Sequence, residues 1–116
     1  MRSARVQKEA SLDINNIVIV SLTSPKEKMW GQILSLDPKG VTLRGIDLAS
    51  FDDLIHQVVQ HEDTAVGLNT IFFPMHRVER IMMDEPSGSI PSLSQRFHAK
   101  VGITIQEYLG IDTPQF

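Results

Sequence analysis

The chain has 116 residues, 41% of them hydrophobic and 22% charged, with a formal net charge of −3. One globular domain accounts for this length, and the acidic balance excludes a broadly basic nucleic-acid binder, because phosphate contacts need concentrated Lys and Arg. The absence of cysteine excludes disulfide scaffolds, thiolate metal sites and cysteine catalysis.

Residues 1–15 are polar and of mixed charge, and read as an N-terminal tail or short helix. They lack the apolar centre of a secretory signal, and no run in the chain approaches the length of a membrane span. A cytoplasmic protein without a membrane partner is the expectation. Asn16 to Leu22 is β-branched and almost continuously apolar, the pattern of a strand buried on both faces or at a subunit seam. Thr23-Ser24-Pro25-Lys26 closes it as a turn.

A hairpin follows. Lys28 to Leu36 is predicted as one strand and Val41 to Gly45 as the next, joined by Asp37-Pro38-Lys39-Gly40, in which proline presets φ and glycine accepts positive φ. Gly31, inside the first strand, marks a sharp bend or a close backbone approach. Phe51, Leu54, Ile55, Val58 and Val59 then recur at helical spacing, with Ser50 as N-cap and Asp52 and Asp53 in the first turn, which predicts a helix over 51–61.

Thr70 to Met75 and Val78 to Met83 read as two short strands flanking His76-Arg77, with Pro74 confined to a strand edge or a break. Asp84 to Ser89 has linker composition. Ser92-x-x-Gln95 and Thr104-x-x-Glu107 are capping boxes, so two short helices are expected within about 92–109, divided near Gly102.

With these strands placed, Trp30-Gly31-Gln32-Ile33, then Asp37 after three residues, then Val41-Thr42-Leu43, resembles the first motif of Sm-like proteins. Pro74-Met75-His76 followed by Arg77-Val78 is similar to the second motif of the bacterial Hfq branch, which reads Tyr-Lys-His; the histidine is kept and the lysine is replaced by Met75. The asparagine that Sm proteins carry after the motif aspartate is also replaced, by Val41, a place where Hfq itself is apolar.

The resemblance implies a mainly β fold, a five-stranded and strongly bent Sm-like or SH3-like barrel over residues 16–84, with helix 51–61 as an insertion. Residues 85–116 would then be a linker and a helical extension. It further implies a ring of identical subunits joined by their edge strands, with RNA as the partner. By family position, Gln32, Asp37, Lys39, His76 and Arg77 would line the RNA-binding face. The alternatives are that His76 and Arg77 are an exposed turn pair and that Asp37 only fixes its turn by accepting backbone amides.

Other residues invite chemistry less strongly. Trp30, Phe72 and Phe73 are candidates for base stacking, although with one Trp, one Tyr and five Phe in the chain, core use is the simpler reading. Arg44, Arg77, Arg80, Arg96 and Lys100 are too dispersed along the chain to predict one patch. Asp52, His56, His61 and Glu62 share helical spacing but lack a third ligand from a second fixed element, so no metal site is expected. No Gly-rich phosphate loop, nucleophile elbow or His-Glu-x-x-His occurs. The sequence therefore predicts a non-enzymatic protein without a cofactor, either an oligomeric RNA binder or a protein-interaction and scaffolding module.

Overall fold

The computed structural model describes residues 12–60 and 67–111. Five antiparallel strands form one sheet: β1 (Ile17–Leu22), β2 (Glu27–Asp37), β3 (Gly40–Asp47), β4 (Asn69–Pro74) and β5 (Val78–Met83), in the order β4-β3-β2-β1-β5. Three helices accompany it: α1 (Phe51–Val59), α2 (Leu93–Val101) and α3 (Ile105–Leu109). The mainly β reading holds, and the five strands fall where the apolar runs predict them. The expected N-terminal tail or helix falls mostly on residues outside those described.

The sheet curls because of where its edges are joined. β4 and β5 occupy opposite margins, yet only the 3-10 turn Met75–Arg77 separates them in the chain. Two backbone bonds hold that turn to the rest of the sheet: Met75 N–H donates to Lys39 O at 2.8 Å, and Thr23 N–H donates to Arg77 O at 2.8 Å. No ladder joins β4 to β5 among the described residues.

Gly31 and Gly45 are directly paired in the β2–β3 ladder. A Cβ on Gly31 would collide with Arg44 O and lie 2.6 Å from Gly45 Cα, and one on Gly45 would lie 2.6 Å from Trp30 O. The two backbones approach more closely than any side chain allows, as glycine inside a strand foretells.

Each face of the sheet carries a buried cluster and β1 contributes to both, which explains its continuous apolar run. Val18, Val20 and Leu22 point into the curl with Met29, Ile33, Val41, Leu43 and Phe73. Ile17 points the other way, into a second cluster with Trp30, Ile46, Phe51, Leu54, Ile55, Phe97 and Ile105. This second cluster joins the sheet to all three helices, so the C-terminal helices share a core with the strands. Trp30 is its centre, with no exposed surface. The Phe51 ring meets it edge-on at 4.9 Å and 89°, a favoured aromatic geometry.

Asp84, at the end of β5, fastens that layer. Its carboxylate accepts the Trp30 indole N–H at 3.0 Å, the Leu93 and Ser94 backbone N–H groups at 2.9 and 2.8 Å, and the Ser94 hydroxyl at 2.7 Å. The two amides belong to the first turn of α2, where helices leave donors unpaired and favour an anion. The first residue of the expected linker is thus a fixed cap.

Helix ends follow local chemistry in three cases and depart from it in a fourth. Both capping boxes form reciprocally, Ser92 with Gln95 and Thr104 with Glu107. Gly102 ends α2 with φ 96°, a left-handed conformation suited to glycine. Ser50 stands at the N-cap of α1 without a side-chain bond, because the helix is entered through the 3-10 turn Leu48–Ser50. Ser50 therefore has φ −96° and ψ 5° rather than the extended backbone of a capping serine. Asp47 caps that preceding turn instead, accepting Ala49 N–H at 3.3 Å.

Candidate functional site

The β2–β3 turn and the 3-10 turn Met75–Arg77 meet at one end of the sheet. Asp37 accepts Lys39 N–H at 2.8 Å, which fixes the two-residue turn. The Lys39 carbonyl then holds Met75 N–H. Lys39 and His76, both exposed, are brought to the same corner by this link. An ammonium and an imidazole carried on two linked turns can donate to an anionic or hydrogen-bonding partner.

Arg77 has a different occupation. Its Nε donates to Thr23 O at 3.0 Å and its Nη2 to Pro25 O at 2.9 Å, while Glu27 lies 4.0 Å away. The guanidinium, 6.0 Å from the Phe73 ring centre, clamps the β1–β2 turn against the start of β5. Gln32 lies apart as well: it is 6% exposed, and its amide donates to Asn15 Oδ1 at 2.8 Å. It fastens the chain that enters β1, where Asn15 N–H also donates to Ile33 O. Of the residues predicted for an RNA face, the corner unites Asp37, Lys39 and His76, and the other two hold turns or entries in place.

The three aromatic candidates also separate. Trp30 and Phe73 are buried in the two cores, whereas Phe72 is 53% exposed on β4, its ring against Gly40. On the opposite margin Met82 and Met83 of β5 are exposed. Each margin strand has one paired side: β4 with β3, and β5 with β1.

Of the helical polar residues, Asp52 accepts a hydrogen bond from Arg96 Nη2 at 3.0 Å, and Arg96 lies 5.0 Å from the Phe51 ring centre. His56 is exposed, and His61 and Glu62 lie outside the described residues. No group of three metal-ligating side chains is gathered among the described residues. No described helix is long and apolar enough to cross a membrane.

Two features escaped sequence reading. Asp84 sits in a run of turn residues and finds its partners by tertiary contact; the following Ser92 box gave the only hint that an anion was due there. Ser21, inside an apolar strand, is 4% exposed with a buried, unpartnered hydroxyl. No protein-family model, curated protein or solved structure matches this chain.

Proposed function

We propose that this chain is a non-catalytic, Sm-like subunit: a strongly bent, SH3-like barrel whose two margins pair with those of identical neighbours in a closed ring. The observation that carries this reading is the state of the margins. β4 and β5 each have one strand neighbour, and each displays a large apolar side chain, Phe72 at 53% and Met82 at 41% exposure. Solitary proteins usually blunt such edges with charge or proline along the strand. β4, Asn-Thr-Ile-Phe-Phe-Pro, has no charge and only a terminal proline, whereas β5, Val-Glu-Arg-Ile-Met-Met, carries Glu79, Arg80 and a bulge at its start and is apolar only over its last three residues, so β4 is the margin that argues most strongly for a partner. Phe51, Leu54, Ile55, Phe97 and Ile105 of the helices are buried against the sheet, while Val59, Ile103 and Tyr108 stay exposed and give the helices a rival surface for a protein partner.

Amide hydrogen exchange tests the margins directly. Outward-facing amides of β4 and β5 exchange quickly in a lone subunit and slowly in an assembly. Protection in both strands that rises with protein concentration supports the proposal. Concentration-independent, rapid exchange in both strands refutes it.

Lys39 and His76 would repeat around one face of such a ring, which supports single-stranded RNA as the ligand of that face. The net charge of −3 and the engagement of Arg77 limit the attraction to a local one. Titration with uridine-rich and adenine-rich RNA at several salt concentrations separates RNA binding from pure scaffolding. An RNA-binding face loses affinity steeply as salt rises, and a protein-interaction module shows no RNA affinity even at low salt.

A further inference from the structure

β1 carries one side chain whose chemistry does not match its surroundings. Ser21 is 4% exposed, and its buried hydroxyl has no hydrogen-bond partner. Native structures rarely leave such a group unsatisfied, because burial removes its water without replacing it. The strand register shows what lies on either side: Ser21 pairs with Lys28 on β2 and with Arg80 on β5. Directly paired residues share a face, so ammonium, hydroxyl and guanidinium stand in a row across three adjacent strands.

Neither the Lys28 nor the Arg80 side chain forms a hydrogen bond or ion pair among the described residues. The ladder itself is irregular at this point. Ser21 opposes Arg80 and Leu22 opposes Val78, which leaves Glu79 as the extra residue of a bulge. Bulges re-aim side chains and are frequent beside binding sites. The row opens on a cavity of about 340 Å³ lined also by Lys26, Glu27 and Glu79. Lys26, Lys28 and Arg80 thus outnumber two carboxylates, Glu27 and Glu79, around the hydroxyl, and Glu27 shares its charge with Arg77 at 4.0 Å.

We infer that Ser21, Lys28 and Arg80 form a phosphate-binding site on the face shared by β2, β1 and β5. A tetrahedral oxyanion supplies several acceptors at once, which matches a guanidinium fork, an ammonium and a hydroxyl better than a single carbonyl does. The hydroxyl forms the floor, and the two long side chains close over the anion. The cavity is larger than a bare phosphate, so the group is either free phosphate or the head of a small phosphomonoester. This inference does not depend on ring assembly, and the row is separate from Lys39 and His76.

Calorimetric titration of the full chain with inorganic phosphate, and separately with glycerol 3-phosphate, tests it. Saturable binding at one site per chain is expected. Ser21→Ala, Lys28→Gln and Arg80→Gln should each weaken it about tenfold, the loss of one charge-assisted hydrogen bond. Lys100→Gln, which removes the same charge from an exposed position on α2, should leave affinity unchanged. Tighter binding of glycerol 3-phosphate identifies a phosphomonoester as the ligand, and equal or weaker binding identifies free phosphate. Ser21→Ala fills an apolar strand with an apolar residue, so folding is preserved and its result is interpretable. The inference is overturned if neither probe binds, if the three site variants bind as the wild type does, or if Lys100→Gln loses as much affinity as they do.

Discussion

The Trp30 indole N–H donates to the Asp84 carboxylate at 3.0 Å, joining residues 54 positions apart in the chain. This bond connects the middle of β2 to the start of α2, because the same carboxylate also holds the amides of Leu93 and Ser94. The sheet and the C-terminal helices are therefore coupled through one side chain.

Replacing that side chain should cost more than an ordinary cap. Asp84→Ala removes the acceptor of a buried indole N–H and of two helix amides, an expected loss of about 2–4 kcal/mol. Asp84→Asn, which retains one carbonyl acceptor, should lose less. Urea denaturation followed by fluorescence measures both, since Trp30 is the sole tryptophan. Unchanged stability in Asp84→Ala would mean that the coupling is incidental.

The close approach of β2 and β3 depends on Gly31 in a different way. Gly31→Ala places a methyl group against Arg44 O and Gly45 Cα, backbone atoms that move only if β2 and β3 separate. The expected destabilisation is about 1–3 kcal/mol or more, in the range of overpacked cores. Thermal unfolding of this variant beside Gly67→Ala, where the added methyl meets nothing within 4 Å, distinguishes a steric cost from a general loss of glycine.

Arg77 and His76 are adjacent in sequence and should respond oppositely to substitution. Arg77→Ala releases the carbonyls of Thr23 and Pro25, and should lower stability by about 1–3 kcal/mol. Arg77→Lys should recover only part of this, since one ammonium does not reproduce the planar fork. His76→Ala and Lys39→Ala should leave stability within about 0.5 kcal/mol, as exposed positions do, and should reduce any RNA affinity. Equal loss of RNA affinity in Arg77→Lys would give the guanidinium a role beyond its clamp.

What was readable in the chain was local. Pro38 and Gly40 announce their turn within four residues, although Gly40 does not take the positive φ expected of it and is needed instead because a Cβ there would meet Phe73 O and the Phe72 ring; the β-branched run announces β1, and each capping box carries both partners inside one helical turn. Arg77 was opaque because its partners Thr23 and Pro25 lie more than 50 residues away, and Asp84 because Trp30 lies 54 positions back and the nearer amides of Leu93 and Ser94 reach it only once α2 is docked on the sheet. Gln32 resembled a site residue for the same reason: its partner, Asn15, lies 17 positions back, on the entry to β1. Ser50 does stand at the N-cap its position foretells, but its side chain makes no capping bond, because sequence shows the residue and not the 3-10 turn that delivers it. Ser21 gave no signal at all, since one serine in a strand is ordinary until its burial and its neighbours across the sheet are known.

Helix capping offers a check on the local chemistry alone. Ser92→Ala and Thr104→Ala each remove one side of a reciprocal box, and each should cost about 1 kcal/mol. Ser92→Ala should be the larger, because Ser92 is 5% exposed and its loss leaves a part-buried amide unpaired. Denaturant midpoints compared with unchanged slopes measure both.

The claim that identical chains join through β4 and β5 is tested most directly by the mass of the particle in solution. Sedimentation equilibrium of the wild-type chain should give a stable closed multiple of one subunit, and Phe72→Lys, placing a charge on the exposed uncharged margin, should shift it to monomer with its fold intact. A wild-type chain that remains monomeric at all concentrations would contradict the account.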